Sequence, residues 1–178
     1  MATEKWDIDA VHSSVGFTVR HMVVAKVHGQ FTKWGGTLDL DPEQLTGSKV
    51  DIDIDAASID TRDEKRNGHL KSADFLDVEK HPNITFKSKL IEKKGSDTYR
   101  MMGDLSIRGV TRDVVLDVEY GGRAADPWGG ERMGFTAKGQ IDRKDFGAKW
   151  NAALEAGGFV VGDKVDITIE IEAVKKKA

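Results

Sequence analysis

The sequence predicts an all-β chain that closes into an eight-stranded antiparallel up-and-down barrel, with one short helix or crossover near residues 62–73. Three observations predict it. Apolar and polar residues alternate in nearly every segment, as in strands with one dry and one wet face. The breaks between those segments are mostly hairpin-length and carry no βαβ rhythm. The 178 residues include 19 glycines and only 3 prolines, which suits many turns and bulges. A sheet of that size with one apolar face must pack on another sheet or close on itself, and hairpin connections favour closure.

The elements follow in order. Trp6-Asp7-Ile8-Asp9 alternates briefly before the turn-prone Ala10-Val11-His12-Ser13. Val15, Phe17 and Val19 then share one parity, with Thr18 and Arg20 on the other. A second strand is expected from about Val27 to Leu40; its apolar parity changes from Phe31 to Leu38 and Leu40, and Gly35-Gly36 is the expected bulge. After a turn at Asp41-Pro42-Glu43-Gln44, Val50, Ile52 and Ile54 alternate with Asp51, Asp53 and Asp55. Thr61 to Leu76 breaks the alternation. Its polar, unbranched and charged residues suit a short helix, with Leu70 as an apolar anchor and Phe75-Leu76 at its close.

Pro82 marks the next strand entrance, and Ile84, Phe86 and Leu90 are expected on one face. Lys94-Gly95-Ser96-Asp97 reads as a hairpin turn before Tyr99, Met101, Gly103, Leu105 and Ile107. Arg108-Gly109 turns again into Val114, Leu116, Val118 and Tyr120. A glycine-rich loop is expected from Gly121 to Gly130, then a strand bearing Met133, Phe135, Ala137, Gly139 and Ile141. Val165, Ile167, Ile169 and Ile171 make the last strand. Ser88, Gly103, Ala137 and Gly139 are small residues on the inward parity, which leaves filled and hollow barrels both open. Strands of roughly ten residues at about 40° tilt make a barrel on the order of 25 Å tall, so a cavity along it suits a long slender apolar molecule.

Composition excludes several classes. A net charge of −3 gives no electrostatic case for nucleic acid or an anionic membrane, both of which call for a basic face. The absence of cysteine removes disulfides, thiolate metal sites and cysteine nucleophiles. No run is long enough for a transmembrane segment, and no secretory signal pattern opens the chain. The expectation is a single domain in the cytoplasm, or in the periplasm if a signal has been removed.

Candidate chemistry is weaker than its motifs suggest. Asp51-x-Asp53-x-Asp55 starts like a calcium loop but meets Ala56 and Arg62 where glycine and glutamate belong. The histidines His12, His21, His28, His69 and His81 lack metal-ligand spacing, so no metal is expected. His12 and Ser13 point to opposite sides of extended chain and read as a turn rather than a base and nucleophile. Asp145-Phe146-Gly147 lacks every companion of a kinase signature, and Asn83-Ile84-Thr85 opens a strand rather than a glycosylated loop.

Taken together, Trp6-Asp7-Ile8-Asp9 with His12-Ser13, Phe17 through Met22, Gly29-Gln30-Phe31, Ser58-Ile59-Asp60-Thr61, His69 through Asp77 and His81 through Phe86 form a characteristic series. Gly103 through Thr111 and Arg143-x-Asp145-Phe146-Gly147 complete it. With these the chain resembles the YceI-like family of lipocalin-like, polyisoprenoid-binding proteins over nearly its whole length. The resemblance implies an eight-stranded barrel holding an isoprenoid or quinone tail, and a homodimer. Within it, Arg143 and Asp145 are expected to pair and pin the loop before the last strand, or else to border the pore mouth.

The expected function is non-catalytic binding, storage or transport of a hydrophobic lipid, with no catalytic residue and no required cofactor beyond that bound isoprenoid lipid or quinone. The alternatives are a hydrolase or isomerase working in the same pore, and a filled-barrel interaction protein. The residues expected to line the pore are Phe17, Val19, His21, Leu38, Leu40, Ile52, Ile54, Phe75, Leu76, Phe86, Leu105, Val118, Phe135, Ile167 and Ile169. Phe75 and Leu76 are expected to plug or border the opening, with Arg62 to Lys71 facing solvent.

Overall fold

A computed structural model describes residues 2–152, 154 and 160–176. Its strands are β1 (Glu4–Ile8), β2 (Ser14–His21), β3 (Ala25–Phe31), β4 (Trp34–Leu40), β5 (Lys49–Asp55), β6 (Ile59–Asp60), β7 (Asn83–Lys93), β8 (Thr98–Ile107), β9 (Val110–Ala125), β10 (Glu131–Asp142) and β11 (Val161–Lys175). Helix α1 spans Glu64–Lys71.

These segments form the predicted barrel of eight antiparallel strands. β1 and β2 are two halves of one barrel strand: Trp6 sits opposite Lys175 of β11, and Val15 sits opposite Ile169 of the same strand. β3 and β4 divide the next strand in the same way, β3 against β2 and β4 against β1. β5 and β7 to β11 then follow as a meander that closes the ring on β11, while β6 adds to the edge of β3. No helix among the described residues is long and apolar enough to cross a membrane.

Three local expectations change. The parity switch in the second strand falls at Thr32-Lys33, not at Gly35-Gly36; their backbone groups bond Ser58 and Asp55 instead of continuing the ladder. Gly36 lies on the inward parity with Trp34 and Leu38, where β5 approaches too closely for any side chain. A bulge between Ser88 and Leu90 turns Leu90 outward, leaving it 46% exposed, and puts Ile91 against the core. The first half of the expected loop from Gly121 to Gly130 is ladder, since β9 runs to Ala125 and only Asp126 to Gly130 turns.

Alternation decides which residues enter the barrel; two clusters decide what they do there. At the end formed by residues 41–48, 94–97 and 126–130, Trp6, Leu38, Leu40, Leu45, Tyr99, Met133 and Ala173 pack solidly. Fully burying a large apolar side chain contributes roughly 1.5–3 kcal/mol, so this plug is a main source of stability. Val15, Ile52, Ile54, Ile84, Phe86, Met101, Leu105, Leu116 and Phe146 line the other half. There the β2–β3 turn, the crossover between β6 and β7, the β8–β9 turn and the β10–β11 loop converge. Some of the small inward residues are roofed by rings: Phe17 lies over Gly29, its partner in register, and Phe86 over Gly103. Such packing lets the sheet coil without leaving a void.

Candidate ligand-binding cavity

The barrel is filled at one end and hollow at the other. Its hollow half holds a cavity of about 350 Å³ with an almost wholly apolar wall. Phe17, Val19, His21, Ile52, Ile54, Phe75, Leu76, Phe86, Leu105, Ile167 and Ile169 stand on that wall. Leu38 and Leu40 do not, because they belong to the packed plug. Val118 and Phe135 also lie outside it, at the level of the plug, where the Phe135 ring is 5.4 Å from Tyr120. All four have the inward parity, but they sit too far down the barrel.

The wall also includes Trp34, Met101, Leu116, Phe146 and Trp150, which sequence reasoning did not assign. Met101 and Leu116 had already shown the inward parity, and Phe146 lies within the Arg143-x-Asp145-Phe146-Gly147 stretch. Trp150 gave no signal, because it sits in a loop outside any periodic pattern.

The mouth is built by loops. Asp63 caps α1 by accepting a bond from the Arg66 backbone N–H, which explains where the helix starts. Asn67 is buried, and its side-chain oxygen accepts from both the backbone N–H and the hydroxyl of Thr61, at 2.8 and 2.6 Å. Arg66 donates to the Thr61 hydroxyl and carbonyl. α1 therefore turns Arg66, His69 and Leu70 toward the cavity, contrary to a fully solvated Arg62–Lys71 segment. The His69 ring meets Phe75 and Trp150 edge-on, at 5.0 and 4.6 Å, while its Nε2 lies 2.8 Å from Asp74.

Arg143 holds the opposite rim. It donates to the carbonyls of Gly162, Ala148 and Trp150, and its guanidinium lies over the Phe75 ring. Burial pulls its pKa below the ordinary arginine value, against the opposing pull of Asp163 and Asp142. The expected Arg143–Asp145 pair is absent among the described residues, and the carbonyl of Asp145 accepts from Arg112 instead. Arg66 and Arg143 bring positive charge to the wall beside His21 and His69, and no described carboxylate lines that wall.

A second polar group lies on the outer face, at the corner between β1 and β2. His12 Nδ1 is 2.8 Å from Asp9, and Arg132 bonds Asp9 and Glu172 at 2.7 and 2.9 Å. Ser13 Oγ accepts from the Glu172 backbone N–H. Asp9, His12 and Glu172 cluster closely enough to offer metal ligands, but both carboxylates already bond Arg132, whose single charge they share with Asp126. The geometry is that of a corner brace, with His12 and Ser13 in the turn role.

The model of a family described as the YceI-like domain matches residues 6–173. Protein YceI of Escherichia coli O157:H7 is 36% identical over 176 residues, covering 99% of this chain and 88% of that protein. The crystal structure of Burkholderia cenocepacia BcnA superposes with a TM-score of 0.82 at 25% identity, over 93% of this chain and 99% of that one. A polyisoprenoid binding domain from Saccharophagus degradans shares the fold with a TM-score of 0.69 at 16% identity, over 96% and 98%.

Proposed function

The chain belongs to the YceI-like family, and on that premise we propose that it binds, and stores or carries, a long isoprenoid lipid or isoprenoid quinone without transforming it. One observation carries the reading: the barrel is plugged at one end by Trp6, Leu40 and Met133 and holds an apolar cavity at the other, with polar groups only toward the mouth. An apolar tail enters such a site and its head stays at the rim. The cavity lies at the low end of the roughly 300–1,000 Å³ typical of ligand pockets, so it encloses part of a long tail rather than all of it. Buried apolar surface contributes about 25 cal/mol per Å² before the losses of association, enough for tight binding without an ion pair. The Saccharophagus domain, named for polyisoprenoid binding, has the same fold and supports the ligand class.

Non-catalytic binding also fits the rim chemistry. His69 and Asp74 form an oriented pair, but the one described hydroxyl on the wall, that of Thr61, is occupied by Asn67 and Arg66. Among the described residues, His69 therefore has no free side-chain nucleophile beside it to activate. His21 makes no side-chain hydrogen bond among the described residues and is free to donate to a head-group oxygen.

Native mass spectrometry after incubation with a prenyl quinone, a prenyl alcohol or a straight-chain fatty acid tests the reading. A retained one-to-one prenyl adduct is the expected result. A protein that takes up none of them, or that converts the prenyl lipid to a new mass, refutes it. A homodimer belongs to the same proposal and is read from the mass of the complex.

A further inference from the structure

The β2–β3 turn carries three unfavourable features at one place. Met22 and Val23 adopt φ of 51° and 69°, the left-handed region that hairpin turns usually fill with Asn-Gly and that a β-branched residue resists. Met22, Val23 and Val24 nevertheless point apolar side chains into solvent, at 46%, 54% and 88% exposure. Just behind them Arg20 and Lys26 face each other in register on the outer side of the hairpin. Neither has a carboxylate within 4 Å among the described residues, and like charges directly opposite repel. The hairpin itself is well anchored: the Met22 N–H donates to Val160, and Arg20 to the Val23 carbonyl. The turn is therefore held in an exposed, strained form by its surroundings.

Asn and Gly adopt the backbone of Met22 and Val23 with less strain than Met and Val do. An anionic lipid surface relieves two of them. It buries the three apolar side chains at the depth of the headgroup–acyl boundary and supplies counter-charge to Arg20 and Lys26. The tip also lies beside the cavity mouth, because His21 and Val27, immediately behind the turn on its two strands, are wall residues. We propose that the Met22-Val23-Val24 tip, backed by Arg20 and Lys26, docks the open end of the barrel onto an anionic lipid bilayer. This rests on the lipid-binding reading of the cavity and adds the route by which a bilayer lipid reaches it. The net charge of −3 is a property of the whole surface, whereas this contact is made by the local pair Arg20 and Lys26 and is screened over a Debye length of about 8–10 Å.

The test is sedimentation of the full chain with vesicles of phosphatidylcholine, alone and mixed with phosphatidylglycerol, beside the double variant Met22→Asn/Val23→Gly and the single variant Lys26→Gln. The wild-type protein is expected to bind the anionic vesicles and to be released by salt. The double variant should bind on the order of 10-fold less while its thermal midpoint stays level or rises, because Asn-Gly suits the turn. Lys26→Gln should bind several-fold less to the anionic vesicles only. Equal binding by the double variant, or no binding by the wild type, overturns the proposal. So does wild-type self-association in sedimentation velocity that the double variant abolishes, which would assign the tip to a second copy of the chain. Uptake of a prenyl quinone from detergent, measured in parallel, separates the two readings: uptake without vesicle binding refutes docking alone, and no uptake refutes the cavity reading beneath it.

Discussion

The guanidinium of Arg143 stands 5.6 Å from the centre of the Phe75 ring, tying the loop before β11 to the crossover before β7. Both segments roof the cavity, so this contact sets the shape of its mouth. Arg143→Lys keeps the charge but cannot reach the carbonyls of Gly162, Ala148 and Trp150 together. Loss of buried, charge-assisted bonds should destabilise the fold by about 2–4 kcal/mol. Urea denaturation reads the loss.

Phe75→Ala removes a ring that is 5% exposed and touches His69, Trp150 and Arg143. With Leu76→Ala added, about 3–6 kcal/mol of apolar contact is lost. Part of that supports the fold and part faces the ligand, so a bound prenyl lipid should dissociate at least ten times faster. A double variant with an intact β-sheet spectrum and wild-type release would show that the crossover is only a tether.

Ala137 is a small wall residue between Val118 and Ile169. Ala137→Phe should project a ring into the cavity rather than into packed core, so the barrel should lose less than the roughly 1–3 kcal/mol of ordinary overpacking. Lipid uptake should fall by at least tenfold. Undiminished uptake with a folded barrel would place the ligand elsewhere.

The corner brace should give stability a distinct pH dependence. Asp9 is held well below its ordinary 3.8 by His12 first and Arg132 second, while His12 is raised above 6.5 by Asp9. The Asp9 contribution is complete above about pH 3.8 and is lost as pH falls through its depressed value. The His12 contribution is complete below about pH 6.5 and is lost as pH rises through its raised value. Thermal midpoints of wild type and His12→Gln should therefore differ most between those limits and converge in alkaline buffer. A difference independent of pH would mean that His12 acts by packing alone.

The sequence by itself determined the strands, their dry faces and the one break in their rhythm. Side chains of an extended chain alternate, so Ile52 and Ile54 had to turn inward if Asp51 and Asp53 turned outward. The same local logic placed the helix, because its residues are polar, unbranched and charged and break the strand alternation. Depth along the barrel axis was decided only by the tertiary structure. Leu38, Leu40, Val118 and Phe135 have the same parity as wall residues, yet the register across the ring places them at the plug rather than the cavity. Leu90 shows the other limit, since one bulge after Ser88 reverses every side chain beyond it. Arg143 and Trp150 meet His69 and Phe75 across more than sixty residues of chain, through loops that have no period to read. Alternation is a property of neighbouring residues, whereas register, bulges and loop closure are settled only when eight strands satisfy one ring of hydrogen bonds together.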